Sequence, residues 1–246
     1  MSPVGSPFDA LVDAYDAARP TYPAELYDAI ERLAHPLAGA NVIEIGAGTG
    51  IATRALRERG ASVVAVDIGA QMLRRLRDRD PAQPAVLANA EALPFRDDCA
   101  DLVCAAQAWH WVDVDRGAPE ARRVLRGHGA LAVWWNNVVA DGRPWFEAQQ
   151  ERLAAMNPAY SRDYRTLRFD EPLAEHFATV EAFTTRWSRT LSVADYLVWL
   201  RSKSYVAAIG ERLDDFLAAE EASLRGAFPD GAVVEPFEVH LVVARV

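Results

Sequence analysis

From Asn41 to Asn137, short apolar runs alternate with segments whose apolar positions recur every three or four residues. The runs are NVIEI (41–45), SVVAVD (62–67), AVLA (85–88), ADLVCAAQ (100–107) and ALAVWWNN (130–137). Each is strand-length and nearly uninterrupted, the pattern of a strand buried on both faces of a parallel sheet. Between them, GIATRALRERG (50–60) predicts a helix closed by Gly60, and AQMLRRLRDR (70–79) one stopped by Pro81. A third is predicted near Pro119–Arg126, ending at Gly127-His128-Gly129. Upstream, Ser6-Pro7 starts a helix that carries Phe8, Leu11, Val12 and Tyr15 and breaks at Pro20 and Pro23. Leu26, Ile30, Leu33 and Leu37 mark the next. Downstream, 143–156 and 192–209 read as aromatic-rich helices, and 179–191 and 236–246 as strands. The chain therefore divides into N-terminal helices (1–38), an alternating core (39–140) and a mixed segment (141–246), packed as one domain.

Strands alternating with helices predict an α/β fold whose ligands collect at the carboxyl ends of the strands. The residues just beyond those ends are Gly46, Asp67, Asn89, Gln107 and Asn136. The first end carries VIEIGAGTG (42–50), an E-x-G-x-G-x-G pattern from Glu44, Gly46, Gly48 and Gly50. Glycines there permit positive φ and bring bare backbone N–H groups to a ligand at a helix start. The dinucleotide spacing G-x-G-x-x-G is not met, because its third position is Ile51.

Composition narrows the function. The 246 residues carry a net charge of −9, which argues against a nucleic-acid partner. The arginines of 74–80 alternate with aspartates and read as a solvated face. The two cysteines, Cys99 and Cys104, fit reduced thiols in a cytoplasmic protein. No run reaches membrane-spanning length, and the five histidines show no metal-ligand spacing, so neither a membrane nor a metal is expected.

Further segments agree with the glycine loop: YDAARPTYP (15–23), NAEALPF (89–95) and AAQAWHWVD (105–113). Together they make the chain resemble the class I S-adenosylmethionine (SAM)-dependent methyltransferases, in the small-molecule group that includes trans-aconitate methyltransferase-like proteins. The resemblance implies a Rossmann-like fold: a seven-stranded sheet of order 3-2-1-4-5-7-6, strand 7 antiparallel, flanked by helices and carrying a helical cap. It implies SAM as cofactor and S-adenosylhomocysteine as product. Glu44, Gly46, Ala47, Gly48 and Gly50 would hold the cofactor's amino-acid end, with Gln107, Tyr15 and Arg19, whose guanidinium suits a carboxylate. Asp67 would bind the ribose, and its position 21 residues after Gly46 matches the ribose acid of nucleotide-binding folds. Asn89, Ala90 and Glu91 would meet the adenine, and Ile68 and Met72 would also contact the cofactor. Tyr22, Trp109, His110, Trp135, Asn136 and Tyr205 would meet the acceptor, with His110 the candidate general base. Strand-like alternation would send Trp109 and Trp111 to one side and His110 to the other.

Two positions depart from the family pattern. Asn89 replaces an aspartate, and Gly127-His128-Gly129 replaces a P-G-G turn; the latter reads as a helix terminus. The expected activity is methyl transfer to a small molecule, as in natural-product or secondary metabolism. O, N and C acceptors stay open, as does oligomeric state. A nicotinamide oxidoreductase is disfavoured by the glycine spacing. A SAM-fold protein that does not methylate, cyclase-like or a binding subunit, would share these motifs.

Overall fold

The computed structural model describes residues 19–139, 142–160 and 170–246. The helix expected over 8–15, and Tyr15 with it, lie outside the described residues.

Seven strands form one sheet: β1 (Asn41–Ile45), β2 (Ser62–Asp67), β3 (Ala85–Leu87), β4 (Ala100–Ala106), β5 (Leu125–Val138), β6 (Thr179–Ser192) and β7 (Ala232–Arg245). Their order is β3-β2-β1-β4-β5-β7-β6. β1 pairs in parallel with β2 and β4, β2 with β3, and β4 with β5. β7 reverses direction. The Val139 N–H donates to the Pro236 carbonyl (3.1 Å) and the Val246 N–H to the Gly129 carbonyl (3.3 Å), so one number falls as the other rises.

The chain forms two compact units. The larger comprises 21–137, the described part of 167–186, and 238–246. Its core is the interior of the sheet. Leu102, Val103, Cys104 and Ala105 of β4 are solvent-inaccessible, as are Leu131, Ala132 and Val133 of β5. The helices α1 (Ala24–Leu33), α2 (Ile51–Glu58), α3 (Ala70–Arg79) and α4 (Val114–Val124) belong to this unit. Each buries a stripe at helical spacing, such as Leu26 and Ile30 of α1 or Leu73 and Leu76 of α3.

The second unit takes the described parts of 1–20 and 138–166, and 187–237. It holds α5 (Pro144–Met156), α7 (Val193–Arg201), α8 (Ser204–Ala207) and α9 (Leu213–Ala227). The short α6 (Asp170–Ala174) belongs to the larger unit. One expected helix, 192–209, is two: α7 ends at Arg201, and the hydroxyl of the C-cap Ser202 donates to the Trp199 carbonyl (2.6 Å).

Gly127-His128-Gly129 is not a helix terminus. α4 ends at Val124 and β5 begins at Leu125, so all three residues lie within the strand. The β4–β5 register slips between Ala100 and Leu102, opposite this stretch. A Cβ on Gly129 would lie 2.9 Å from a Leu125 methyl and 3.0 Å from the Asp101 carbonyl. The glycine is what the irregular pairing requires.

Candidate cofactor site

β1 runs straight into the glycine loop. Gly46, Gly48 and Gly50 all have positive φ (66°, 57° and 84°), conformations that side chains rarely tolerate. They are glycine for different reasons. A Cβ on Gly46 would sit 2.4 Å from the Ala108 Cβ, so the loop lies directly against the chain leaving β4. A Cβ on Gly48 would meet nothing within 4 Å, so there the glycine leaves an open backbone edge. Gly50 is the N-cap of α2, and Ala47 anchors the loop by donating its N–H to the Val66 carbonyl (3.0 Å).

Asp67, the last residue of β2, joins this loop to the next. Its Oδ2 accepts from the Gly48 N–H (2.8 Å) and its Oδ1 from the Gly69 N–H (2.6 Å). Asp67 thus holds two backbone N–H groups with one side chain. It closes the turn into α3, and each oxygen keeps a lone pair for a further donor. Beside it the surface is apolar: Ile68 is 77% exposed, Leu87 59% and Met72 43%. Leu87 pairs with Asp67 in the β2–β3 register. Leu87 is not among the residues expected from the sequence; its signal is an apolar residue at the carboxyl end of a strand, where ligands collect.

Glu44 of β1 is solvent-inaccessible and accepts a hydrogen bond from the Thr53 hydroxyl on α2. Burial pushes its pKa up to about 8, against the lowering effects of Thr53 and Arg54. Asn89 forms an Asx turn, its Oδ1 accepting the Glu91 N–H (3.0 Å). Ala90 is buried in the sheet core. Glu91 ties the loop to α4 through Arg116 (2.7 Å) and the Asp113 N–H (3.3 Å).

At the ends of β4 and β5 a polar relay takes over. Gln107, a non-glycine residue at φ 57°, donates from Nε2 to the Asn136 carbonyl (3.0 Å). Asn136 donates from Nδ2 to the Thr21 carbonyl (3.2 Å). Tyr22, the next residue, sets its ring edge-on to Trp134 at 5.8 Å. The Thr21-Tyr22 segment is thus fixed to the central strand ends. Arg19 is exposed.

The Trp-His-Trp triplet does not alternate. Residues 109–111 are one 3-10 turn, in which side chains step by about a third of a turn instead of flipping sides. Trp109 goes into the core, fully buried among Val103, Ala118 and Ala121, and so is not on the site surface. Trp111 stands 81% exposed. His110 is half-buried and lies against Trp111 at 4.8 Å between ring centroids. Its Nδ1 accepts from the Trp135 indole N–H (3.2 Å), which leaves the neutral ring its proton on Nε2. Burial lowers the His110 pKa, favouring that neutral form. The half-buried imidazole thus presents an N–H donor. Tyr205 lies in the second unit, where its ring meets Tyr160 (5.1 Å) and its carbonyl accepts from Asn157 (2.8 Å).

Comparison with known proteins agrees with this geometry. Residues 43–133, from β1 to β5, match the model of the methyltransferase domain family. An uncharacterised methyltransferase of Mycobacterium tuberculosis is 38% identical over 201 residues, covering 80% of this chain and 76% of that protein. The malonyl-[acyl-carrier protein] O-methyltransferase of Salmonella typhimurium is 28% identical over 207 residues, covering 82% and 80%. A solved structure from Anaeromyxobacter dehalogenans, described as a candidate type II methyltransferase, superposes with a TM-score of 0.73 at 28% identity, covering 92% and 97%. Strand order, glycine loop and relatives converge: this chain belongs to the class I SAM-dependent methyltransferase family.

Proposed function

We propose that the protein methylates the carboxylate of a small acid, using SAM and releasing S-adenosylhomocysteine. The observation that carries the cofactor reading is Asp67: a carboxylate at the end of β2, next to an open glycine edge and an exposed apolar surface. That set suits a nucleoside, with a carboxylate for ribose hydroxyls and Ile68, Leu87 and Met72 for a flat base. Asp67, the glycine loop and this apolar surface would hold SAM, whose sulfonium would supply an already activated methyl group.

The chain's own residues then mainly position. Aligned reactants gain effective molarities of order 10⁵ M or more, so orientation supplies much of the rate. A carboxylate acceptor has no proton to remove and needs no general base. This agrees with His110, whose Nδ1 is occupied by Trp135 and whose Nε2–H donates. We read His110 as orienting an acceptor oxygen, not deprotonating it. Carboxylate methylation also fits the S. typhimurium relative, named for O-methylation of malonyl-[acyl-carrier protein]. The acid could be free or carried on a thioester.

The test is transfer of label from methyl-labelled SAM to two panels, free carboxylic acids and the same acids as carrier-protein thioesters. Label released from product by mild alkali marks a methyl ester. Label fixed in an alkali-stable ether or amine overturns the carboxylate reading, and a protein that binds SAM without transferring label to any acceptor overturns methylation itself. Calorimetry of Asp67→Ala checks the cofactor site separately. SAM affinity should fall at least about tenfold, as expected from losing charge-assisted hydrogen bonds, each worth about 1.5–3 kcal/mol. Unchanged affinity in the folded variant rules out the ribose role.

A further inference from the structure

At the other end of the sheet, three side chains with no part in the cofactor site converge. His35 follows α1, Asp101 is the second residue of β4, and His128 stands in β5 between two glycines. One donor atom from each lies within 4.8 Å of the other two. We propose that His35, Asp101 and His128 form a binding site for a divalent metal ion of the zinc class. Ligands separated by 66 and 27 residues leave no spacing signature, so a search of the sequence for such a motif could not find them.

The donor chemistry suits the ion. Two imidazoles and a carboxylate favour zinc and its borderline neighbours over magnesium or calcium, which take oxygen ligands. The ligands also have outer partners. His35 Nδ1 lies 2.7 Å from the Pro36 carbonyl. A carbonyl only accepts, so Nδ1 carries the proton and Nε2 keeps the lone pair a metal needs. The Asp101 carboxylate is pinned at Oδ2 by the Asn41 N–H (2.8 Å) and the Asn41 side-chain amide (3.1 Å). Its Oδ1 faces Arg126 and, at 3.6 Å, His128 Nε2.

Closure is small. A tetrahedral site with metal–ligand bonds of about 2.0–2.1 Å places donors about 3.3–3.4 Å apart. The present spacing must shrink by roughly 1.4 Å, within reach of side-chain rotation at His128, which is exposed and flanked by Gly127 and Gly129. Arg126 opposes binding, because its guanidinium holds the oxygen a metal would take. It is one-third exposed and can swing to solvent. Three protein ligands leave a fourth position to water. The site would clamp the loop after α1 to the starts of β4 and β5. It stands apart from methyl transfer and does not rest on that reading.

The experiment uses the full chain, freed of any histidine tag and stripped with chelator. Zinc is titrated by calorimetry, and cobalt(II) by its visible absorption. One ion per chain, a raised melting temperature and the intense bands of four-coordinate cobalt are expected. His128→Ala and His35→Ala should each weaken zinc at least about tenfold, since loss of outer partners alone costs about 10–100-fold. His128 is exposed, so its variant should melt like the wild type without metal, which keeps the test clean if His35→Ala folds poorly. Arg126→Gln should bind zinc as tightly or more tightly. No zinc uptake by the wild type, or equal uptake by the double histidine variant, overturns the site, as does a cobalt spectrum that stays six-coordinate. Weaker binding by Arg126→Gln overturns Oδ1 as the ligand atom.

Discussion

Two acids of the second unit and Glu44 of the larger unit are buried in opposite ways. In the second unit Glu220 and Glu235 are fully inaccessible, and each meets an arginine. Arg152 donates from Nε to Glu220 (2.5 Å), and Gln149 adds a second bond (3.1 Å). Arg189 reaches Glu235 Oε2 from both Nε (2.8 Å) and Nη2 (2.7 Å), while Trp199 donates its indole N–H to Oε1 (2.8 Å). The Arg189 guanidinium also stacks over Trp199 and Phe237. In the larger unit Glu44 is equally buried, yet the contact that holds it is a hydroxyl. Glu220 and Glu235 each meet a guanidinium directly, whereas Arg54 acts on Glu44 only at a distance and burial outweighs it. Charge balance marks an architectural acid. An acid buried without such a partner is instead held protonated, as burial raises the Glu44 pKa to about 8.

The largest expected effect tests the balanced side. Glu235→Ala strands the Arg189 charge in a buried, aromatic cage. Breaking such a pair costs about 3–5 kcal/mol, against about 0–1 kcal/mol for an exposed one. Urea unfolding should show that loss in the midpoint, with methyl-transfer chemistry intact in whatever stays folded. A loss below about 1 kcal/mol would place Glu235 among ordinary surface pairs and dissolve the contrast.

Glu44 gives a smaller effect with a distinctive pH course. Its folded pKa is raised from 4.5 to about 8 by burial, so between those values the folded chain holds a proton that the unfolded chain has released. Stability should therefore fall as pH rises from about 4.5 to about 8, and level off above. Glu44→Gln keeps an acceptor for Thr53 and cannot ionise. It should remove this slope and be the more stable form at pH 8. Thermal melts of both proteins from pH 5 to 9 decide it. Parallel pH courses would mean that Glu44 is ionised in the folded state despite its burial. A cationic ligand should reverse the order, because an ammonium beside Glu44 rewards the ionised carboxylate.

The contrast also explains what the sequence could disclose. The sheet unit is written in periods: NVIEI, SVVAVD and ADLVCAAQ read as strands because both faces are buried and nothing interrupts them. The place of Asp67, at the end of β2 beside the glycine loop, was legible because the strand's apolar run stops there. What escaped depended on distant partners. Nothing local in TRWSRTL reveals that Arg189 meets Glu235, 46 residues on. Strand alternation at Trp109-His110-Trp111 failed because backbone geometry, a 3-10 turn, overrode the period assumed. Trp135 sets the His110 tautomer from 25 residues away. Gly127-His128-Gly129 looked like a helix end because its glycines serve a slipped register that only the neighbouring strand shows.

The smallest effect falls on Asn89, where the family pattern has an aspartate. Its oxygen already accepts the Glu91 N–H in an Asx turn, and an aspartate makes the same turn. Asn89→Asp should therefore leave the fold unchanged. The remaining lone pair is what an adenine amino group would meet. A carboxylate accepts more strongly than an amide, since charge-assisted bonds are roughly twice as strong as neutral ones. The position is exposed, however, and water screens the gain. SAM affinity should be equal or higher by a few-fold, and S-adenosylhomocysteine should follow it, because both carry the same adenine. Calorimetry with both ligands measures this. Adenosine alone should show the same ratio, which separates an adenine effect from a charge effect on the sulfonium. If Asn89→Asp instead loses affinity strongly for all three, the asparagine serves as a donor through Nδ2, and the base stands in the opposite orientation in this loop. Should SAM alone gain, the new charge acts at long range on the sulfonium, and Asn89 does not touch the base.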